Sequence, residues 1–212
     1  MTRTLVLGGT AWLGRTVAQL ALERGHDVTC LARGESGAVA PGVTWVRTDR
    51  ADPAAYDEVR GRDWDQVVDV SRVPGHVRTA LAALGDRAAH WVFVSSCSVY
   101  AEHATPGADE TAPVLPAHEG DTATVEQYGE AKVACEQLCI EALADRLLVA
   151  RSGLIAGHGD LSDRFGYWPG RFAAAVTGMN GWSAAAPVLV PDTFDAPTQT
   201  LDVRDLAGWC ST

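Results

Sequence analysis

Tyr128 and Lys132, in the run Tyr128-Gly129-Glu130-Ala131-Lys132, stand four residues apart in a helical pattern and therefore project from one face. Such a pair can do acid–base work. A protonated amine beside the phenol favours phenolate and brings the tyrosine pKa from its usual ~10 toward neutrality. Taken alone, the pair is also common on helix surfaces. A second polar cluster, Ser95-Ser96-Cys97-Ser98-Val99-Tyr100, follows the apolar run Trp91-Val92-Phe93-Val94. Hydroxyls at the carboxyl end of a parallel strand are where open α/β sheets place ligands. A serine there can hydrogen-bond a carbonyl oxygen and stabilise charge developing on it.

The third signal opens the chain. Leu5-Val6-Leu7 runs into Gly8-Gly9-Thr10-Ala11-Trp12-Leu13-Gly14, a strand, a glycine turn and a helix start in the order that sets a pyrophosphate on helix N-terminal N–H groups. Gly8 permits the tight turn, and Gly14 lets the helix pack close to the strand. A dinucleotide site also needs a reader at the end of the second strand, where an acidic residue would accept from the ribose 2′-hydroxyl of NAD. Ala32 cannot accept that bond, whereas the guanidinium of Arg33 can clamp a 2′-phosphate. NADP is the expected cofactor, with NAD as the alternative.

The elements that must hold these residues alternate as βαβ units do. Thr4 to Leu7, Asp27 to Ala32, Val43 to Arg47, Gln66 to Val70, His90 to Ser95 and Leu147 to Arg151 read as strands of one parallel sheet. Leu13, Val17, Leu20 and Ala21 fall on one face of a helix that Gly25 can end. Ala80 to Leu84 and Val125 to Leu143 lie in two further crossovers. Residues 101–124 break into Pro, Gly, Ala and acidic residues, too long for a simple connection and a candidate lid. After Arg151 no further clean βα repeat is visible. The expected fold is α/β, a Rossmann-type doubly wound parallel sheet over 1–155, followed by a small, incomplete C-terminal substrate-binding portion over 156–212.

The 212 residues carry a formal net charge of -10 and 47% hydrophobic residues, the balance of a soluble domain with a large core. Acidity with scattered cations argues against a nucleic-acid surface. Five cysteines without a CxxC pair suggest reduced thiols and neither a disulfide scaffold nor a metal site. With no signal-like or membrane-spanning apolar run, the expected location is cytoplasmic. Cys135 and Cys139 read as buried apolar side chains, and His103, His118, His158 and Asp109-Glu110 as loop residues without assigned chemistry.

Together these signals resemble the short-chain dehydrogenase/reductase superfamily, specifically its extended and atypical branch of NAD(P)-dependent epimerases, dehydratases and reductases. The resemblance rests on Gly8-Gly9-Thr10 with Gly14, Asp49 after the third strand, Val92 to Ser96 leading to Val99-Tyr100, the Tyr128 to Lys132 pentad, and Arg151 to Gly157. It implies Ser96 as the catalytic hydroxyl, Tyr128 as general acid/base, and Lys132 as the residue that binds the nicotinamide ribose and tunes the tyrosine. It implies a cofactor set of Gly8, Gly9, Thr10, Ala11, Trp12, Leu13, Gly14, Arg33, Asp49, Arg50, Val70, Ser71, Ser95, Tyr128 and Lys132, with Asp49 at the adenine amino group. Ser98, Arg164 and Arg171 are candidates for the substrate, a small molecule of nucleotide-sugar type, and a homodimer is the expected partner state. Ala11 replaces the middle glycine of the usual pattern, and the chain stops where members of the superfamily usually continue. A non-catalytic NADP-binding regulatory or redox-sensing protein on the same fold is the alternative. Retention of Ser96, Tyr128 and Lys132 favours the enzyme.

Overall fold

A computed structural model describes residues 1–162, 165–177, 187–193 and 198–211. Six parallel strands form the central sheet: β1 (Arg3–Leu7), β2 (Asp27–Leu31), β3 (Thr44–Val46), β4 (Trp64–Asp69), β5 (Ala88–Ser96) and β6 (Leu147–Ser152). Their order across the sheet is β3-β2-β1-β4-β5-β6, the doubly wound order in which the direction of winding reverses between β1 and β4. All six expected strands are present, displaced by a few residues at their ends.

Period-two alternation explains the layering. Leu5, Leu7, Leu31, Val67, Trp91 and Phe93 point to one face and pack on α2 (Pro74–Leu84) and α3 (Tyr128–Leu143) through Val77, Ala80, Leu84, Cys135, Cys139 and Leu143. Val6, Val28, Cys30, Val68, Val92 and Val94 point to the other face, covered by α1 (Trp12–Glu23) through Val17, Ala18 and Ala21. Gly25 follows α1 at φ +82, as a helix-ending glycine should. Cys135 and Cys139 are buried core side chains, as expected.

The path from β3 to β4 runs through turns that bury Tyr56 and Val59 under Trp64, whose indole N–H donates to the Val59 carbonyl at 3.1 Å. One finding departs from the sequence reading: the segment after Arg151 does contain further strands and helices. β7 (Leu154–Ala156) pairs in parallel with β8 (Thr200–Asp202), and α5 (Val203–Cys210) follows, with the Asp202 carboxylate accepting from the Arg204 N–H at 2.8 Å. Leu206, Ala207 and Cys210 of α5 join the α1 core. Strands of three residues are too short to show alternation, and their pairing is distant in sequence. One more helix, α4 (Tyr167–Thr177), lies between them. Among the described residues no helix is long and apolar enough to cross a membrane.

Candidate active site

The glycine turn packs tightly on its neighbours. Gly8 sits at φ +108, and a Cβ on it would stand 2.6 Å from Val70 Cγ2 at the end of β4. A Cβ on Gly9 would stand 2.2 Å from Cys30 Sγ, and one on Gly14 2.3 Å from the Gly8 carbonyl oxygen. Strand and helix therefore meet at a separation only glycine allows. Ala11, the N-cap of α1, offers no side-chain acceptor, and the first turn holds no acidic residue. The first N–H groups of α1 thus have no side-chain partner and carry the positive end of the helix dipole. This is the arrangement a phosphate fits.

A cleft of about 330 Å³ opens at the switch point, lined by Gly8, Thr10 and Ala11 from the turn, Ala32 to Ser36 after β2, Thr48 to Arg50 after β3, and Val70 to Val73 with His76 after β4. It brings together Arg33, Asp49, Val70 and Ser71 of the candidate residues. Trp12 and Leu13 do not line it. The Trp12 indole N–H donates instead to the His158 carbonyl at 3.0 Å, and Leu13 packs on the α1 core.

The reader at the end of β2 differs from expectation. Arg33 is half exposed and already paired, 3.0 Å from Glu35 and 3.6 Å from Asp49. The strand end therefore supplies carboxylates as well as a cation, and NADP is not favoured over NAD by the charges present. Sequence reasoning stopped at the strand's last residues and missed Glu35, two positions further on. The Asp49 carboxyl is held below its usual range, first by the Ala51 N–H and also by Arg33. His76 is held below its ordinary value by burial and by nearby Arg50.

Arg50, expected at the cofactor, reaches the cleft only with its edge. Its guanidinium turns inward and grips Asp69 with two bonds of 2.8 Å, while its Nε donates to the Tyr56 hydroxyl at 2.9 Å. A buried carboxylate at the end of an apolar strand demands such a partner. Asp69 ending the run Val67-Val68 was the available signal for this pairing.

Ser95, Ser96, Ser98, Tyr128 and Lys132 gather at the carboxyl end of β5. Ser96 Oγ accepts from the Ser98 N–H at 3.1 Å and lies 3.0 Å from Ser98 Oγ, capping a short 3-10 turn over Cys97–Val99. Tyr128 is the first residue of α3 and is partly buried. The start of α3 abuts the serine turn so closely that a Cβ on Gly129 would stand 2.4 Å from the Ser98 carbonyl oxygen. Ser95 is 2% exposed, and its hydroxyl has no hydrogen-bond partner among the described residues.

Lys132 is the chain's only lysine, and it is buried. Its ammonium donates to the carbonyls of Ser71 and Val94, each at 2.6 Å, and lies 4.7 Å from the centre of the Phe93 ring. Ser71 belongs to the floor of the cleft, so Lys132 reaches the cleft from behind. Burial pulls its pKa down from the ordinary 10.5 to about 8, against the opposing influence of Cys135, Asp69 and Glu136. One turn further along α3, Glu136 is 3% exposed and paired with Arg151 at 2.8 Å.

Of the substrate candidates, Arg171 lies on α4 with its guanidinium 5.6 Å from the Tyr167 ring centre, and Arg164 lies outside the described residues. The 101–124 segment is anchored at its base. Tyr100 bridges to Val114, Ala101 N–H donates to the Pro113 carbonyl at 2.9 Å and Leu115 N–H to the Val99 carbonyl at 2.8 Å. The Gly75 N–H donates to the Asp121 carbonyl at 2.9 Å, which pins the far end to the start of α2.

A parallel sheet in this order, a glycine turn on α1 and a cleft at the switch point define a Rossmann-type doubly wound α/β protein. Residues 4–86 match the NAD dependent epimerase/dehydratase family. The resemblance to the extended short-chain dehydrogenase/reductases thus holds, in sequence pattern over the first βαβ half and in fold beyond it. The fold is similar to UDP-N-acetylglucosamine 4-epimerase from Methanobrevibacter ruminantium, with TM-score 0.72 and 21% identity over 98% of this chain and 71% of that one. It is similar to WbmH from Bordetella bronchiseptica, solved in complex with NAD+, with TM-score 0.66 and 17% identity over 99% of this chain and 70% of that one. A UDP-galactose 4-epimerase gives TM-score 0.61 and 20% identity over 74% of this chain, which spans only 57% of that chain. At these identities the likeness is one of fold. No curated protein sequence matches the chain.

Proposed function

We propose that the chain carries the dinucleotide-binding part of an NAD-dependent epimerase, dehydratase or reductase acting on a small molecule of nucleotide-sugar type. The observation that carries this reading is the position of Lys132. It bonds to Ser71 on the floor of the cleft from the same helix whose first turn, Tyr128 and Gly129, packs at Gly129 against the serine turn after β5. Cofactor cleft and proton-handling residues are thereby joined through one carbonyl.

The fit to a dinucleotide rests on the cradle. The glycine turn and the N–H groups of α1 suit a pyrophosphate, and the space between Arg33, Asp49 and His76 suits an adenosine. NAD is the cofactor we favour. A 2′-phosphate entering near Arg33 would meet Glu35 and Asp49, whereas a 2′-hydroxyl finds acceptors there. Structures of similar fold solved with NAD+ support the same choice.

A bound nicotinamide supplies the acceptor or donor for hydride. The chain's own side chains would manage the proton and the orientation. Tyr128 would take the proton from, or return it to, a substrate oxygen; Ser96 would turn its hydroxyl from Ser98 toward that oxygen. Lys132 spends two of its three N–H donors on Ser71 and Val94, which leaves one for a ribose hydroxyl.

Tyr128→Phe tests this. It keeps the ring and removes the transferable proton, so turnover of a UDP-hexose should fall by roughly 10²-fold or more while NAD affinity stays within a few-fold. Near-full activity of the phenylalanine variant across pH would remove the proton-transfer role.

A further inference from the structure

We propose that Arg50 and Asp69 are positioning residues: their buried ion pair fixes the backbone of Ser71 and, through the Ser71 carbonyl, sets where the Lys132 ammonium stands. The inference rests on the functional reading only for the importance of Lys132, not for the geometry.

Asp69 ends β4 and is 0% exposed. Arg50 approaches from the loop after β3 with a two-pronged grip, Nη1 on Oδ1 and Nη2 on Oδ2, both at 2.8 Å. The remaining guanidinium contacts go to the Tyr56 hydroxyl at 2.9 Å and the His76 carbonyl at 2.8 Å. The cation is thus held from the β3–β4 turn and from α2 at once, and it cannot shift without breaking bonds on three sides. Asp69 Oδ1 also accepts the Ser71 N–H at 2.9 Å, and Ser71 Oγ accepts the Val73 N–H at 3.1 Å. From the end of β4 to the start of α2, the backbone is therefore fixed by consecutive side-chain bonds. The Ser71 carbonyl so fixed receives Lys132 Nζ at 2.6 Å.

Core stability alone does not explain the pair. A buried ion pair is costly to desolvate, and apolar residues of similar volume often serve the core as well. What an apolar residue at 69 lacks is an acceptor for Ser71 and a negative charge near a buried ammonium. The charged and titratable groups around that ammonium are Asp69 from β4 and Glu136, Cys135 and Cys139 from α3 itself. Glu136 is neutralised by Arg151 at 2.8 Å, and Arg50 holds Asp69 from its far side.

The presence of a single lysine makes the test direct, because one Cε signal in the full-length chain with 13C-labelled lysine reports Lys132 without assignment. Two variants are used, both read without cofactor. Asp69→Asn keeps an acceptor and removes the charge; the double variant Arg50→Met with Asp69→Leu removes both in an apolar form able to fold. The Lys132 midpoint should fall by about one unit or more in each. In the double variant, exchange of the Ser71 amide should also accelerate by at least tenfold, from loss of its acceptor. A folded double variant that titrates at the wild-type midpoint with the Ser71 amide still protected overturns the proposal. Failure of the chain to bind NAD would instead overturn the functional reading and leave this result standing.

Discussion

A lone buried lysine makes the stability of this chain depend on alkaline pH in a direction that can be fixed beforehand. Below its folded pKa of about 8 Lys132 is charged in both states, and its desolvation weighs against the fold. Between there and its ordinary value near 10.5, the folded chain has released a proton that the unfolded chain still holds, so stability rises with pH. The wild type should gain up to about 3 kcal/mol relative to Lys132→Met across that window, in urea unfolding at the two ends of it. Parallel profiles for the two proteins would contradict the burial of a chargeable ammonium. Glu35 offers the second test at this scale. Its pair with Arg33 is half exposed and weak, so Glu35→Gln should leave the guanidinium paired with Asp49 alone and raise NADP affinity relative to NAD by a few-fold, less at high salt. An unchanged ratio in competitive titrations would show that Glu35 takes no part in reading the 2′ position.

The helix α3 acts as one lever with two arms. Its second residue, Gly129, lies against the serine turn after β5, and three residues on Lys132 reaches the floor of the cleft. Gly129 sets that closeness. An added methyl would stand 2.4 Å from the Ser98 carbonyl oxygen and 2.6 Å from Leu115 Cδ1. The leucine can yield but the backbone carbonyl cannot. Gly129→Ala should therefore push the start of α3, with Tyr128, away from the serine turn and lower turnover by more than tenfold, because small misplacements are costly to reacting geometry. The glycine turn and the β2–β3 edge lie on the other side of β4, so NAD affinity should change by only a few-fold. A variant with unimpaired kcat would mean that the approach of α3 to the turn is not what aligns the pair.

At the scale of the whole molecule, the sheet was legible because burial on both faces leaves short apolar runs that turns and helices separate. The glycine turn at the cleft and the helix that carries Tyr128 and Lys132 were legible as elements because local spacing carries them. Side-chain pairing across the fold was not. Arg50 lies 19 positions before its partner Asp69, and nothing nearby in sequence distinguishes it from an arginine facing a ligand. Arg33 was read without its partners: Glu35, two residues on, was overlooked, and Asp49 becomes a neighbour only when β2 and β3 lie side by side. The last strand and helix escaped notice because β8 finds β7 across a long stretch of sequence and α5 finds α1 from the opposite end of the chain. Arg24 at the end of α1 joins those two ends, donating to the Gly208 carbonyl at 2.9 Å and to Ser211 Oγ at 2.8 Å. The first and last described helices thus support the glycine turn from one side while α2 and α3 support the cleft floor from the other.

The central claim is that the cleft at the switch point holds NAD, and calorimetric titration of NAD into the full chain tests it most directly. The account predicts saturable binding of one NAD per chain, with a Kd on the order of micromolar, abolished or weakened at least tenfold by Gly14→Ala, whose Cβ would stand 2.3 Å from the Gly8 carbonyl oxygen. Heats that never saturate, or binding that the Gly14 variant leaves intact, would contradict it.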